Sequence, residues 1–412
     1  MRVGIMGGTL DPVHMGHIQI AETALHELQL DRIMLLPAGD PPHKAHPTPK
    51  ADRWRMAQLA AETVPGMFAC DAEISRAGVT YTVDTLREMH IYQPDTQWYY
   101  LIGADTLDVL DSWRSFDQVA KMCTFVVAGR GAEKASAERM AFLADRYGAR
   151  FTVLSVSGPE ISSSEIRDRT AKGQDIRGLT TENVRMYIEA QGLYLCPYST
   201  DAIRDMLRAH LKIGRYQHTL SVAETARRLA ARYGVSPARA YLAGLLHDCA
   251  KYMDADAQRA MLRQSDLPID DAEMAADSVL HAPVGALLAE STYGVRDMQI
   301  LSAIRKHTIG DAEMSMMDAL IYTADFIEPN RKPFPGLAEA RALAEQDIYA
   351  AMCQCARLTC AYVRESGAMP HPKTIKMIQN YQADKQICNN HEGGNNHDGI
   401  QRACPEGRQN FG

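Results

Sequence analysis

Two hydrophobic patterns follow one another along the chain. From Met1 to about Leu195, short aliphatic and aromatic runs alternate with segments in which apolar residues recur at spacings of three and four. Such runs predict buried strands, and the spaced pattern predicts amphipathic helices. Their alternation is typical of a parallel sheet covered by helices. The predicted strands are 2–6, 32–38, 98–104, 124–130 and 150–156, and the predicted helices between them are 18–28, 51–63 and 82–91.

The second pattern begins after residues 196–200, which we interpret as a linker. Beyond them, amphipathic segments predict helices at 201–211, 219–234, 237–252, 297–308 and 316–328, and no run favours a strand. We therefore expect an α/β domain over 1–195, with a Rossmann-like doubly wound parallel sheet, followed by an all-α domain over 201–385.

The final segment, 386–412, is rich in Asn and Gly and poor in branched apolar residues. Because such a composition buries little apolar surface, a disordered tail is expected. It also holds Cys388, His391, His397 and Cys404, whose spacings match no standard zinc finger.

Composition agrees with two ordinary domains, since 412 residues exceed the size at which one core usually keeps growing. Hydrophobic residues make up 46%, and no apolar run approaches the roughly 18 residues of a membrane span. The net charge of −7 disfavours a nucleic-acid or anionic-membrane surface. The nine scattered cysteines do not form a disulfide framework, and the first residues lack the form of a secretory signal, so a cytoplasmic protein with reduced thiols is expected.

The first candidate site is GGTLDPVHMGH, residues 7–17, between the first predicted strand and helix. Gly7 and Gly8 carry no Cβ, so the backbone there can approach a phosphate closely. His14 and His17, three residues apart, share one face of a helix and can donate hydrogen bonds to phosphoryl oxygens. Without further signals the segment is equally a glycine turn followed by surface histidines.

A second anion site is expected at ISSSEIR, residues 161–167. Ser162 and Glu165 have the spacing of a capping box at a helix start. A helix N-terminus with serine hydroxyls and Arg167 beside it favours anion binding.

These segments, with PPHK (41–44), TYTVDTL (80–86) and IGADTLDVLDSWR (102–114), resemble the nucleotidyltransferase superfamily and, within it, bacterial nicotinate-nucleotide adenylyltransferases. The resemblance implies adenylyl transfer from ATP, accompanied by Mg²⁺, to nicotinate mononucleotide. It implies that His14 and His17 contact the ATP phosphates, with Arg167 as a further catalytic residue. The implied nucleotide-binding residues are Gly7, Gly8, Thr9, Lys44, Gly103, Asp105, Ser162 and Ser163, and the implied acceptor-binding residues are Thr82, Trp113 and Arg130.

Two residues depart from that pattern. Leu10 stands where Phe is expected, and Arg130-Gly131-Ala132 replaces Arg-Pro-Gly. The second change bears on the choice between acid and amide mononucleotides. Transfer to another acceptor, such as phosphopantetheine, is an alternative that TYTVDTL and GADTLDVLDSW disfavour.

The helical half carries a series of histidines and aspartates: His218, His247, Asp248, His281, His307 and Asp325. A single helical histidine is usually solvated or satisfied within the core. Here, however, His247 and Asp248 are adjacent after an apolar stretch, and Asp325 follows IYTA, where a carboxylate without a partner is costly.

The segments RYQHTLSV, LLHDCAK, LHAPVGA, IRKHTIG and YTADFIEPNR resemble the HD hydrolase superfamily and, more narrowly, symmetrical diadenosine tetraphosphate hydrolases. The resemblance implies two metal ions, iron favoured, held by His218, His247, Asp248 and Asp325 and by His281 and His307, with Asp248 bridging. Lys251 and Arg331 would neutralise the polyphosphate. Ile309 stands where a second Thr is expected. Alternatives are another nucleotide or cyclic-dinucleotide phosphohydrolase, or a nucleotide-sensing module.

Overall fold

A computed structural model of the chain describes residues 1–40, 47–128, 134–155 and 159–392. Contacts between residues divide the chain into two units. The first comprises Met1–Ser199 with Gly294–Met298, and the second comprises Thr200–Tyr293 with the chain from Gln299 onward. No helix among the described residues is both long and apolar enough to cross a bilayer.

The first unit is built on a six-stranded parallel sheet in the order β3-β2-β1-β4-β5-β6. Its strands are β1 (Arg2–Gly8), β2 (Arg32–Pro37), β3 (Met67–Ala69), β4 (Gln97–Gly103), β5 (Thr124–Ala128) and β6 (Arg150–Val153). The chain runs outward from β1 to β3 and then returns to add β4 on the other side of β1. In open parallel sheets, ligands bind in the crevice at the carboxyl ends of strands where the order reverses.

Helices cover both faces of this sheet, as the alternating pattern predicts. They are α1 (Met15–Glu27), α2 (Lys50–Ala61), α3 (Thr82–Tyr92), α4 (Phe116–Met122), α5 (Lys134–Tyr147), α6 (Ser163–Ala171) and α7 (Glu182–Gln191), with a 3-10 helix over Ala104–Ser112. Successive strand residues point into opposite cores: Met6 and Leu35 into one, Ile5 and Met34 into the other. The predicted doubly wound α/β class is therefore confirmed.

All regular elements that the structure describes in the second unit are helices, which confirms the predicted all-α class. They are α8 (Thr200–His210), α9 (Ile213–Arg232), α10 (Pro237–Leu246), α11 (Ala255–Arg263), α12 (Asp271–Ala275), α13 (His281–Ser291), α14 (Met298–Lys306), α15 (Met316–Ile327), α16 (Leu337–Ala344), α17 (Ile348–Glu365) and α18 (Pro372–Glu392). Helix α18 overlaps the start of the predicted disordered tail, and residues 393–412 lie outside the described chain.

Two features of α10 position the histidine–aspartate pair. The sequence predicts one helix over 237–252, but α10 ends at Leu246 and His247 begins a run of turns. Gly244, near the end of α10, packs directly on α9, because a Cβ at this position would lie 2.8 Å from the Cα of Ala223. The close approach of the two helices brings the turn after α10 next to His218.

Candidate functional sites

The two motif histidines lie at the start of α1, immediately beyond the carboxyl end of β1. His14 is the N-cap residue, and its backbone N–H donates to Nδ1 of His17 at 3.2 Å. The two rings lie against each other, with centroids 3.6 Å apart. With Nδ1 accepting, a neutral His17 carries its proton on Nε2 and is a hydrogen-bond donor there. The structure thus brings His14 and His17 together, as the spacing predicts.

Burial lowers the pKa of His14 to about 4. Its ring is therefore neutral at neutral pH, and it can stabilise a phosphoryl oxygen as a hydrogen-bond donor rather than as a cation.

We expect the His14 ring to titrate near pH 4, against about 6.5 in an unfolded chain. The unfolded state binds more protons between these values, so this group lowers stability as pH falls from about 6.5 to 4. NMR titration of ring-labelled protein measures the midpoint, with His14→Asn identifying the signal. A midpoint near 6.5 would contradict the burial of this ring.

The loop between β1 and α1 has two glycines with different surroundings. Gly8 has φ +154°, a conformation that favours glycine, and nothing lies within 4 Å of the place of its missing Cβ. A Cβ at Gly7 would instead collide with the Tyr100 hydroxyl. The open space expected for phosphate is thus found at Gly8, whereas Gly7 makes room for Tyr100.

The N-terminus of α6 packs against the same loop. Ser162 Oγ accepts the Glu165 N–H at 3.1 Å, but the Glu165 carboxylate lies 3.9 Å from Arg169, so only half of the expected capping box forms. Ser163 Oγ donates to the Pro12 carbonyl at 2.9 Å, and Arg167 Nη1 donates to the Asp11 carbonyl at 2.7 Å. The last two contacts are to the loop itself.

Tyr100 on β4 connects several of the predicted acceptor-binding residues. Its hydroxyl is hydrogen bonded to Thr82, the first residue of α3, and burial raises its pKa. The Trp113 ring meets the Tyr100 ring edge-on, with centroids 5.5 Å apart. Asp105 folds over Gly103 at the carboxyl end of β4, where a Cβ on Gly103 would collide with the carboxylate. Lys44 and Arg130 lie outside the described residues.

All six predicted metal ligands of the second unit come together from five different segments. His218 lies on α9, His247 and Asp248 follow α10, His281 begins α13, His307 follows α14 and Asp325 lies on α15. They form three overlapping groups in which the candidate ligand atoms lie within 4.8 Å of one another: His218–His247–Asp248, His247–His307–Asp325 and Asp248–His281–His307.

Asp248 stands between two pairs of imidazoles. Its Oδ2 lies 3.4 Å from Nε2 of His247 and 3.9 Å from Nε2 of His218. Its Oδ1 lies 3.3 Å from Nε2 of His281 and 3.7 Å from Nε2 of His307. Each carboxylate oxygen thus faces one histidine pair, which is the arrangement that a bridging ligand requires.

Hydrogen bonds on the far side of the rings orient the Nε2 atoms. Nδ1 of His247 donates to the Gly244 carbonyl at 2.7 Å, and Nδ1 of His307 donates to the Ile304 carbonyl at 2.6 Å. Such bonds fix the tautomer in which the Nε2 lone pair is available to a metal. Nδ1 of His218 lies 3.3 Å from the buried Glu328 carboxylate.

The chemistry of this cluster suits a metal ion. Nε2 of His247 is buried and makes no hydrogen bond of good geometry within the described chain. Burial opposes ionisation of Asp248, but His247 and the other facing imidazoles outweigh it and hold the pKa of this carboxyl well below its usual range. Burial lowers the pKa of His281, so its ring is neutral. Burial also raises the pKa of the neighbouring Cys249 thiol, which leaves a donor set of nitrogen and oxygen.

Cationic side chains lie beside the cluster. Arg215 Nη1 is 2.7 Å from Asp248 Oδ2, and Arg331 Nη2 is 3.1 Å from Asp325 Oδ1. Lys251 is partly buried, and burial lowers its pKa. These side chains place positive charge beside the carboxylates of the cluster.

Comparisons with known proteins cover both units. The cytidylyltransferase-like family model matches residues 5–169, and the HD domain model matches residues 215–352. A probable nicotinate-nucleotide adenylyltransferase from Synechococcus sp. (strain JA-3-3Ab) is 40% identical over 198 residues, covering 48% of this chain and 96% of the relative. The chain belongs to the nicotinate-nucleotide adenylyltransferase family.

A second member of this family matches over most of the chain. A probable nicotinate-nucleotide adenylyltransferase/Ap4A hydrolase from Mycoplasma genitalium is 30% identical over 333 residues, which cover 80% of this chain and 88% of the relative. A solved structure of a predicted HD superfamily hydrolase involved in NAD metabolism, from Clostridium acetobutylicum, is 34% identical with a TM-score of 0.44, covering 45% of this chain and 98% of that one. The two family-model matches and the Mycoplasma relative show that an adenylyltransferase unit is joined here to an HD domain.

Sequence reasoning missed three residues that the structure places at the two sites: Tyr100, Arg215 and Glu328. Arg215 and Glu328 each lie three residues from a predicted ligand, so helical spacing offered a signal for them. Tyr100 gave none, because a tyrosine in a strand is ordinary.

Proposed function

We propose that the first unit transfers an adenylyl group from ATP to nicotinate mononucleotide, giving deamido-NAD and pyrophosphate. The observation that carries the proposal is the pair His14 and His17 at the reversal of strand order, opposite the N-terminus of α6. The family membership, and the resemblance of TYTVDTL and GADTLDVLDSW to that family, support the choice of acceptor.

In this reaction an oxygen of the mononucleotide phosphate attacks the α-phosphorus of ATP. The bond from that phosphorus to the bridging oxygen breaks, and pyrophosphate leaves with the electron pair. His14 and His17 donate hydrogen bonds to phosphoryl oxygens as charge develops. Mg²⁺ bound with ATP would neutralise part of the phosphate charge.

The other residues are assigned by their place around this centre. Gly7, Gly8 and Thr9 provide the loop that admits phosphate, together with Lys44 and the α6 residues Ser162, Ser163 and Arg167. Gly103 and Asp105 complete the nucleotide side, and Thr82, Trp113 and Arg130 receive the acceptor. Because Ser163 and Arg167 bond to loop carbonyls, part of their contribution is to hold the loop.

The test is pyrophosphate release by the full chain, with ATP and each of several acceptors. Nicotinate mononucleotide should support the fastest release. Preference for nicotinamide mononucleotide or phosphopantetheine would overturn the acceptor assignment, and release with no acceptor would overturn the reaction.

We propose that the second unit is a metal-dependent phosphohydrolase that cleaves diadenosine tetraphosphate symmetrically to two ADP. The six-residue cluster around Asp248 carries this proposal. His218, His247, Asp248 and Asp325 would hold one ion, and His281 and His307 a second, with Asp248 bridging. The nitrogen and carboxylate donors suit iron, manganese or a similar cation, and the family resemblance favours iron. Bound ions would supply charge neutralisation and an activated water for phosphoanhydride hydrolysis. Lys251, Arg215 and Arg331 would bind the polyphosphate.

Product analysis with diadenosine tetraphosphate tests the substrate. ADP as the only product supports the proposal. ATP with AMP would show asymmetric cleavage, and cleavage of cyclic dinucleotides alone would place the unit in another class. Metal analysis of the purified chain is the second test. A chain that contains no bound metal would support a sensing role instead.

Glu328 is expected to position His218 for metal binding. Since its carboxylate faces Nδ1 of His218, Glu328→Gln should weaken metal affinity by roughly 10- to 100-fold. Metal titration monitored by calorimetry measures the affinity, with Glu365→Gln at an exposed position as the control. Equal affinities in the two variants would contradict the role.

A further inference from the structure

Two buried charged residues of the first unit lie outside the sites described so far. Arg53 on α2 is only 1% exposed, and Glu73 in the segment after β3 is 7% exposed. A buried charge without compensation is strongly destabilising, so the partners of these groups indicate what the groups are for.

Arg53 binds main-chain carbonyls from three segments. Its Nε donates to Thr48 at 2.8 Å, its Nη2 to Gly39 at 2.7 Å and its Nη1 to both Ala38 and Thr9. Thr9 belongs to the β1–α1 loop, while Ala38 and Gly39 follow β2. The guanidinium therefore joins the carboxyl ends of the adjacent strands β1 and β2.

The same loop is held at further carbonyls. Arg167 binds the carbonyl of Asp11, Ser163 that of Pro12, and Thr180 that of Val13 at 2.6 Å. Carbonyl oxygens repel phosphate, and each of these accepts a hydrogen bond from a side chain. Leu10 within the loop has φ 49°, a left-handed conformation that a non-glycine residue keeps only when its surroundings impose it.

Glu73 fixes the segment that leads into α3. It accepts the hydroxyls of Thr80 at 3.1 Å and Thr85 at 2.9 Å. It also accepts the backbone N–H of Gly39, whose carbonyl is bound by Arg53. A Cβ on Gly39 would collide with the Glu73 carbonyl, so only glycine permits this contact.

We propose that Arg53 and Glu73 are positioning residues for adenylyl transfer, linked through Gly39. Arg53 holds the loop that presents His14 and His17, and Glu73 holds Thr80 and the start of α3, where Thr82 lies. Neither touches the reacting atoms in this assignment, which rests on the proposed adenylyl transfer. The link places the phosphate side and the acceptor side of the reaction on one buried hydrogen-bond chain.

Steady-state kinetics of the full chain test the proposal, with pyrophosphate release measured as ATP and nicotinate mononucleotide are varied. Arg53→Lys keeps the charge, but an ammonium cannot reach all four carbonyls. We expect kcat to fall about 10- to 100-fold with KM for ATP changed by less than about threefold, because the loss is one of alignment. Arg55→Lys, on the exposed face of the same helix, is the matched control and should behave as the wild type.

A second variant keeps both charges. Thr80→Val preserves side-chain shape and removes one hydroxyl donor to Glu73, and it should raise KM for the mononucleotide by about tenfold. The double variant, Arg53→Lys with Thr80→Val, should lose less kcat/KM than the product of the two single losses, since the two residues share one chain of hydrogen bonds.

The outcomes are distinguishable. An active wild type with both variants unchanged, or with strictly multiplicative effects, overturns the positioning proposal alone. A wild type that releases no pyrophosphate overturns the proposed function and this inference with it. If Arg53→Lys loses its native near-ultraviolet circular dichroism, Thr80→Val decides, and an unchanged KM overturns the proposal.

Discussion

Asp248→Asn is expected to abolish the proposed phosphohydrolase activity and to reduce metal binding by more than about 100-fold. The side chain is buried, and each of its two oxygens faces a different histidine pair. An amide offers one oxygen and no negative charge, so the imidazoles lose the group that they share. Metal content by mass spectrometry and ADP release from diadenosine tetraphosphate measure the two effects.

Pyrophosphate release by the same variant provides the internal control. Asp248 belongs to the second unit, so adenylyl transfer should be unchanged. The matched surface variant is Asp256→Asn, whose side chain is 99% exposed. If Asp248→Asn retained wild-type metal content, the cluster would not be the metal site.

His17→Ala is expected to lower kcat for pyrophosphate release by about 100- to 1000-fold, the loss typical of removing one donor to a developing oxyanion. The ring lies against His14 at the carboxyl end of β1 and has Nε2 to offer. Steady-state kinetics with saturating ATP and nicotinate mononucleotide measure the change.

A second substitution separates chemistry from folding, because Nδ1 of His17 also accepts the His14 N–H. His17→Gln can keep an acceptor for this bond while it removes the imidazole. Both variants should lose activity, and His17→Gln should keep the wild-type melting temperature. His26→Ala, at the exposed end of the same helix, is the control. An active His17→Gln enzyme would show that the ring is needed only as a cap.

The fold class was predictable because hydrophobic periodicity records which side of an element is buried. Five of the six strands produce recognisable runs, but β3 has only three residues, too few to establish a pattern. The end of α10 was also missed, since apolar and helix-favouring residues continue through His247 to Tyr252.

The sites were predictable to the extent that their residues carry unusual chemistry. Adjacent His247 and Asp248 are conspicuous in any sequence, and the structure brings them together with the other four candidate ligands. Arg53 and Glu73 are common residue types whose importance comes from burial and from partners distant in sequence. Arg167 shows that an unusual residue type can also mislead. Its charge indicated an anion contact, but its described partners are the Asp11 carbonyl and the Ser164 hydroxyl.

Because Gly244 packs against Ala223, α9 and α10 can lie this close together only when residue 244 has no Cβ. A methyl group at 244 would act as a spacer, carrying His218 away from His247 while every ligand stays in the sequence. A chain with a complete set of histidines and aspartates can therefore be inactive. Gly244→Ala would thus leave all six candidate ligands in the chain and disturb the arrangement that brings them together.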